Sequence, residues 1–190
     1  LLLELCKRTD RYALEPDDIE LISTAAGLHD IGKVLIPESI LKKPGKLTDE
    51  EFPKMKRHVD LSRLWLDAVP GFGLVSAWGG GHHERMDGRG YPLGLKDREL
   101  PIPARIMAIA DVFTALTEDR PYRAGMTPPE ALRIMQDMVK QGHLDGDLVG
   151  MLCGHADELN TVRASTQAEA RQGFRALHAA CAEPDALLLD

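Results

Sequence analysis

Apolar positions recur at helical spacing along most of the chain. No run alternates apolar and polar residues with the two-residue period of a half-buried strand. Residues 1–14 read as the end of a helix. Pro16 suits a helical first turn, and Ile19, Ile22, Ala26 and His29 share one face of a helix predicted over 17–29. Gly32 and Pro37 close it, and residues 31–47, with Pro44 and Gly45, read as a loop. Thr48 and Glu51 form a T-x-x-E capping box, with Leu47 and Phe52 in the flanking staple positions. The helix they open runs over 52–67, with Pro53 removing one backbone donor near its start. Pro70-Gly71-Phe72-Gly73 is a turn. A short helix over 74–85 follows, weakened by Gly79-Gly80-Gly81. Residues 87–101 are a Gly/Pro-rich loop. Further helices are predicted over 103–117, 127–141, 145–159 and 166–182, the second of them opened by a Thr127-Pro128-Pro129-Glu130 capping box. The predicted fold class is all-α.

Composition narrows this picture. The chain has 190 residues, 44% apolar and 28% charged, which is ordinary globular composition with enough length for a sizeable core. No apolar stretch reaches membrane-spanning length, so no membrane contact is expected of this segment. Residues 1–5 lack the basic region and cleavage site of a signal peptide, and read as a helix entered part-way, so a longer protein is expected. Cys6, Cys153 and Cys181 are widely spaced and form no CxxC pair; a reducing cytoplasm is the expected compartment. A net charge of −7 argues against a nucleic-acid polymer as partner. A phosphate-bearing ligand would need a local cationic centre.

The informative residues are ionisable groups on apolar helix faces. His29 and Asp30 close a helix whose inner face is Ile22, Ala25, Ala26 and Leu28. His58 shares a face with Leu61 and Trp65, and His82 and His83 are adjacent. Asp111 sits inside Ile106-Met107-Ala108-Ile109-Ala110-Asp111-Val112-Phe113, with apolar neighbours in every helical direction. An unpaired carboxylate buried there would cost several kcal/mol, so it must be paired, protonated or bound to a metal. Arg105 is a local candidate partner. Each residue alone has an ordinary explanation. Four histidines and two aspartates from separate helices together form a nitrogen and oxygen donor set that suits iron, manganese, zinc or nickel. Two cations about 3.5–4 Å apart, bridged by one aspartate, would also suit in-line displacement at phosphorus.

At these residues the chain resembles a known family. His29-Asp30-Ile31-Gly32-Lys33 is similar to the HDxGK signature of HD-domain metal-dependent phosphohydrolases. The run from His82 to Pro92 resembles the HHExxDGxGYP signature of the HD-GYP subfamily. His58 in Lys56-Arg57-His58, Asp111 in Ile109-Ala110-Asp111-Val112-Phe113, and Asp119-Arg120-Pro121-Tyr122-Arg123 match further motifs in order. The resemblance covers roughly residues 1–150. It implies an HD-domain helical bundle with additional C-terminal helices. The chain is expected to divide into a catalytic domain over 1–159 and a helical extension over 160–190, which carries no family motif. The resemblance implies hydrolysis of the second messenger cyclic di-GMP to pGpG or GMP, with two divalent transition-metal ions. By that resemblance His29, Asp30 and Asp111 hold one ion and His58, His82 and His83 the other, with Asp30 bridging and acting with Lys33 at the reacting phosphate. Lys33, Arg120 and Arg123 contact phosphate, and Gly90-Tyr91-Pro92 lie beside the substrate. A homodimer and an attached upstream sensor or receiver domain are the implied protein partners.

Two departures from the family pattern stand out. A further metal-binding His, usual about 30 residues before the HD pair, would fall before residue 1. Thr114 stands where many members carry an acidic residue, which favours two metals over three. Two other functions stay open on the sequence: hydrolysis of another nucleotide, and a weakly catalytic receptor or interaction domain.

Overall fold

The computed structural model describes Leu3, Cys6, Tyr12, residues 14–119 and residues 124–182. Helix α1 (Pro16–Leu28) starts with proline in its first turn and with Asp17 and Asp18 beside the positive end of the helix dipole. The stretch read as a loop contains a 3-10 turn (Ile31–Leu35) and a single helical turn, α2 (Glu38–Leu41). Sequence periodicity has too few residues to act on in segments this short. The Thr48–Glu51 box forms: Thr48 N donates to Glu51 at 2.8 Å and Glu51 N donates to Thr48 Oγ1 at 3.3 Å. Regular helix α3 (Phe52–Asp67) follows.

Helix α4 (Gly73–Gly79) stops six residues short of the predicted end, where three successive glycines meet. A 3-10 turn (Asp97–Glu99) leads into α5 (Ile102–Thr117). Helix α6 (Pro128–Lys140) opens on its predicted box, with Thr127 N donating to Glu130 at 2.9 Å. The helix expected over 145–159 is split. Asp145 caps α7 (Gly146–Cys153) by accepting from Asp147 N and Leu148 N, and the chain turns at Gly154. Helix α8 (Ala156–Ala182) therefore begins ten residues before the predicted 166, with Leu159 buried against the core. Among the described residues the only strand-like pairing is an isolated bridge between Asp87 and Lys96.

Helix α5 is the wall between two apolar clusters. Its Ile106, Ile109 and Phe113 pack with Ala131, Leu132 and Met135 of α6 and Leu148, Val149 and Leu152 of α7. Its Met107 joins Ile22 and Ala25 of α1, Leu66 of α3, and Val75 and Trp78 of α4. The second cluster brings the ends of α1 and α4 against α3. The candidate ligands sit where those three elements meet. No described helix is long and apolar enough to cross a membrane.

Candidate metal centre

The centre is built on a close approach of backbone to backbone. Gly32 N donates to Ser62 Oγ of α3 at 2.9 Å. A Cβ on residue 32 would stand 2.2 Å from His58 O and 2.6 Å from Ser62 N, so only glycine permits this packing. The 3-10 turn lies flat on α3 as a result, and Asp30 Oδ1 comes within 3.3 Å of His58 Nε2.

Three imidazoles are oriented in the same way. Nδ1 of His29, His58 and His82 lies 2.8, 2.6 and 2.5 Å from the carbonyl oxygen three residues earlier, at Ala26, Met55 and Gly79. A carbonyl can only accept, so Nδ1 carries the proton and each Nε2 keeps a lone pair. Those lone pairs converge on one carboxylate. His29 Nε2 is 3.2 Å from Asp30 Oδ2, and His82 Nε2 is 3.9 Å from Asp30 Oδ1. His83 completes the cluster, its ring centroid 4.0 Å from that of His82 and 5.2 Å from that of His58. Asp111 Oδ1 is 4.0 Å from His29 Nε2. The donor atoms of His58, His82 and His83 lie within 4.8 Å of one another, as do those of His29, Asp30 and His82.

Burial and charge keep these donors ready for a cation. Asp30 Oδ1, His58 Nε2 and His82 Nε2 are buried with no hydrogen-bond partner among the described residues. Three orphaned acceptors facing one another are costly unless a cation sits between them. Burial lowers the pKa of His82 to about 4. It lowers that of His83 to about 3, with the neighbouring His82 and His58 acting the same way. Burial also lowers that of His58. These rings are neutral at neutral pH, the form that binds metal. The His29 pKa moves the other way: burial opposes its protonation, but the Asp30 carboxylate outweighs burial and raises its pKa. Burial would raise Asp30, yet His29 and the ion-paired Lys33 hold it well below the usual carboxylate range. Nitrogen and oxygen donors with this spacing fit a first-row divalent ion.

Asp111 is not enclosed as expected. Its side chain is 33% exposed, because Ala110 and Thr114 beside it are exposed and line an open cavity of about 420 Å³ with His29. Nor does Arg105 pair with it. Arg105 Nη1 binds Asp145 at 3.0 Å, and its other nitrogens donate to Leu100 O and Asp97 O, tying the start of α5 to the cap of α7.

The segment after His83 is anchored by a residue that the sequence reading passed over. Glu84 is 3% exposed. Its Oε1 accepts from Leu93 N at 2.7 Å and Gly94 N at 3.1 Å, and its Oε2 from Leu95 N at 3.0 Å. The signal was its place directly after the two histidines. A Cβ at Gly90 would stand 2.5 Å from Arg85 N and from Glu84 Cα, so the returning loop needs glycine there. Gly90 thereby delivers Tyr91, whose N donates to His83 O at 3.2 Å and whose ring stacks on His83 at 4.8 Å. The Tyr91–Pro92 bond is cis. Burial, then the Asp111 and Asp30 charges, raise the Tyr91 pKa, so its hydroxyl stays protonated. Lys56 Nζ lies 4.7 Å from the Tyr91 ring centroid. Thus His29, Asp30, Lys33, His58, His82, His83, Tyr91 and Asp111 are brought together, with Gly90 and Pro92 beside them. Arg120 and Arg123 lie outside the described residues.

With that geometry in hand, the similarities to known proteins are specific. The family model described as HD domain matches residues 3–148. The chain is 46% identical over 131 residues to a 3′3′-cGAMP-specific phosphodiesterase of Vibrio cholerae, covering 69% of this chain and 30% of that one. It is 45% identical over 132 residues to a cyclic di-GMP phosphodiesterase of Pseudomonas aeruginosa, covering 68% and 31%. It is 46% identical over 119 residues to a cyclic di-GMP phosphodiesterase of Thermotoga maritima, covering 62% and 32%. The alignments span about a third of the length of these relatives.

Proposed function

The chain belongs to the HD domain family, and from that premise we propose that it is a metal-dependent phosphodiesterase hydrolysing cyclic di-GMP to pGpG or GMP. The names of its relatives support the reaction class, and they support cyclic di-GMP above other substrates by number. The two ligands in those names, cyclic di-GMP and 3′3′-cGAMP, both carry guanine on a cyclic pair of phosphodiesters. The observation that carries the reading is the convergence of three buried atoms without hydrogen-bond partners among the described residues, Asp30 Oδ1, His58 Nε2 and His82 Nε2.

On this reading His29, Asp30 and Asp111 hold one divalent ion and His58, His82 and His83 a second, with Asp30 shared between them. Iron or manganese suits the donors best; zinc or nickel would also be accepted. Bound there, two cations would make water nucleophilic near neutral pH and offset charge on the phosphoryl oxygens. The chain's own residues do the rest. The backbone carbonyls at 26, 55 and 79 fix which imidazole nitrogen faces Asp30 and the cations. Lys33, held by Asp30, contacts a phosphoryl oxygen and offers a proton to the leaving sugar oxygen. Tyr91, stacked on His83, borders the place where the phosphodiester would lie. Arg120 and Arg123 supply further phosphate contacts in the implied scheme.

The test is incubation of protein loaded with iron or manganese under reducing conditions with cyclic di-GMP. Release of pGpG or GMP is expected. A fully metallated protein that leaves the dinucleotide intact would overturn the proposal. Elemental analysis of anaerobically prepared protein should give two metals per chain.

A further inference from the structure

We propose that Lys56, seated between Phe52 and Tyr91, reads a guanine base of the substrate by donating to its O6 and N7. This rests on the substrate class given above and names the residue that would select the base. The ammonium lies 4.8 Å from the Phe52 ring centroid and 4.7 Å from that of Tyr91. The two rings are 6.5 Å apart and nearly perpendicular. No carboxylate forms an ion pair with Lys56 among the described residues, as is also true of Lys46, Lys54 and Lys96, but Lys56 alone of these is held over aromatic rings. A cation held over aromatic faces keeps its N–H donors for a ligand while the rings supply a stacking surface.

Position gives this cation its meaning. Tyr91 touches His83 at the metal centre, and Lys56 touches Tyr91, in consecutive contacts of 4.8 and 4.7 Å. A phosphodiester at the centre carries its base about a sugar's length to one side, and Tyr91 links this shelf to His83. Phe52 is 47% exposed, so its ring is accessible beside that of Tyr91. Guanine presents two adjacent acceptors, O6 and N7, to a donor; adenine presents N7 beside the N6 amino donor, which faces an ammonium unfavourably. The shelf therefore favours guanine. Stacking alone would not discriminate, because every base has a π face.

The experiment measures equilibrium binding of the phosphorothioate analogues of cyclic di-GMP and cyclic di-AMP to the metal-loaded 190-residue chain and its variants. The unaltered chain should bind the guanine compound at least about tenfold more tightly, the discrimination a two-acceptor base contact supplies. Lys56→Met should remove most of that preference by weakening the guanine compound alone, and Lys56→Arg, a bidentate donor to O6 and N7, should restore it. Phe52→Ala should weaken both compounds, since it removes stacking. Equal weakening of both compounds in Lys56→Met would mean a phosphate contact and would overturn the proposal, as would no change at all. Failure of the broader functional reading looks different: guanine-dependent binding would persist while unmodified cyclic di-GMP is not hydrolysed.

Discussion

Asp30 Oδ1 and His58 Nε2 face each other across 3.3 Å inside the protein, and both atoms lack a hydrogen bond among the described residues. His58 is a ring whose proton is already committed to Met55 O, so two acceptors are pressed together. Only a shared proton or a cation relieves that arrangement, and His58, with its pKa lowered by burial, is a poor holder of the proton.

Removing the shared carboxylate should therefore be the most damaging single change. Asp30→Ala is expected to lower metal affinity by more than about a hundredfold, beyond the range seen on losing an outer-shell partner. Elemental analysis after gel filtration reads the result; full metal content in this variant would exclude the bridging role.

Glu84 ties the loop through three backbone donors. Glu84→Gln keeps the shape but replaces one acceptor oxygen with an amide donor facing backbone N–H groups. It should leave metal content intact and raise KM for cyclic di-GMP more than it lowers kcat, by loosening the segment that presents Tyr91. Loss of metal with no change in KM would contradict this.

Gly32→Ala tests the base of the centre. The added Cβ meets backbone atoms of α3 at 2.2 and 2.6 Å, and backbone cannot step aside as a long side chain can. A loss of about 1–3 kcal/mol or more is expected, as for an overpacked core, together with weakened metal binding. Chemical denaturation with and without metal measures both effects.

The pH dependence of the metal-free protein follows from His82 and His83. Their folded pKa values, about 4 and about 3, lie below the ordinary 6.5. Between those limits the unfolded chain binds more protons than the folded one, so stability falls as pH falls. The melting temperature should hold above about pH 6.5 and decline progressively towards pH 4. A metal-free protein equally stable at both ends would show that these rings are not buried neutral.

Much of this was legible in the chain. The capping boxes at Thr48 and Thr127 gave two helix starts because they rest on local hydrogen bonds. The positions of the side chains that cluster were legible because ionisable groups on apolar faces contradict their surroundings. The 3-10 turn after Asp30 was missed, since it is held by a contact with Ser62, thirty residues away. The break at Gly154 was missed because apolar spacing continues through it. The partner of Arg105 is Asp145 and not Asp111, a choice made by tertiary packing. The role of Glu84 rests on three backbone donors, and its place directly after His83 is the one trace of it in the sequence.

The backbone carbonyls behind His29, His58 and His82 carry one last implication. Many imidazole ligands depend on a neighbouring carboxylate to set their tautomer, and that neighbour can be lost by a single substitution. Here the orienting group is the main chain itself, which no amino-acid replacement deletes. Drift in the surrounding side chains can retune the rate or the choice of ligand, while the tautomers of these three rings are inherited from the fold.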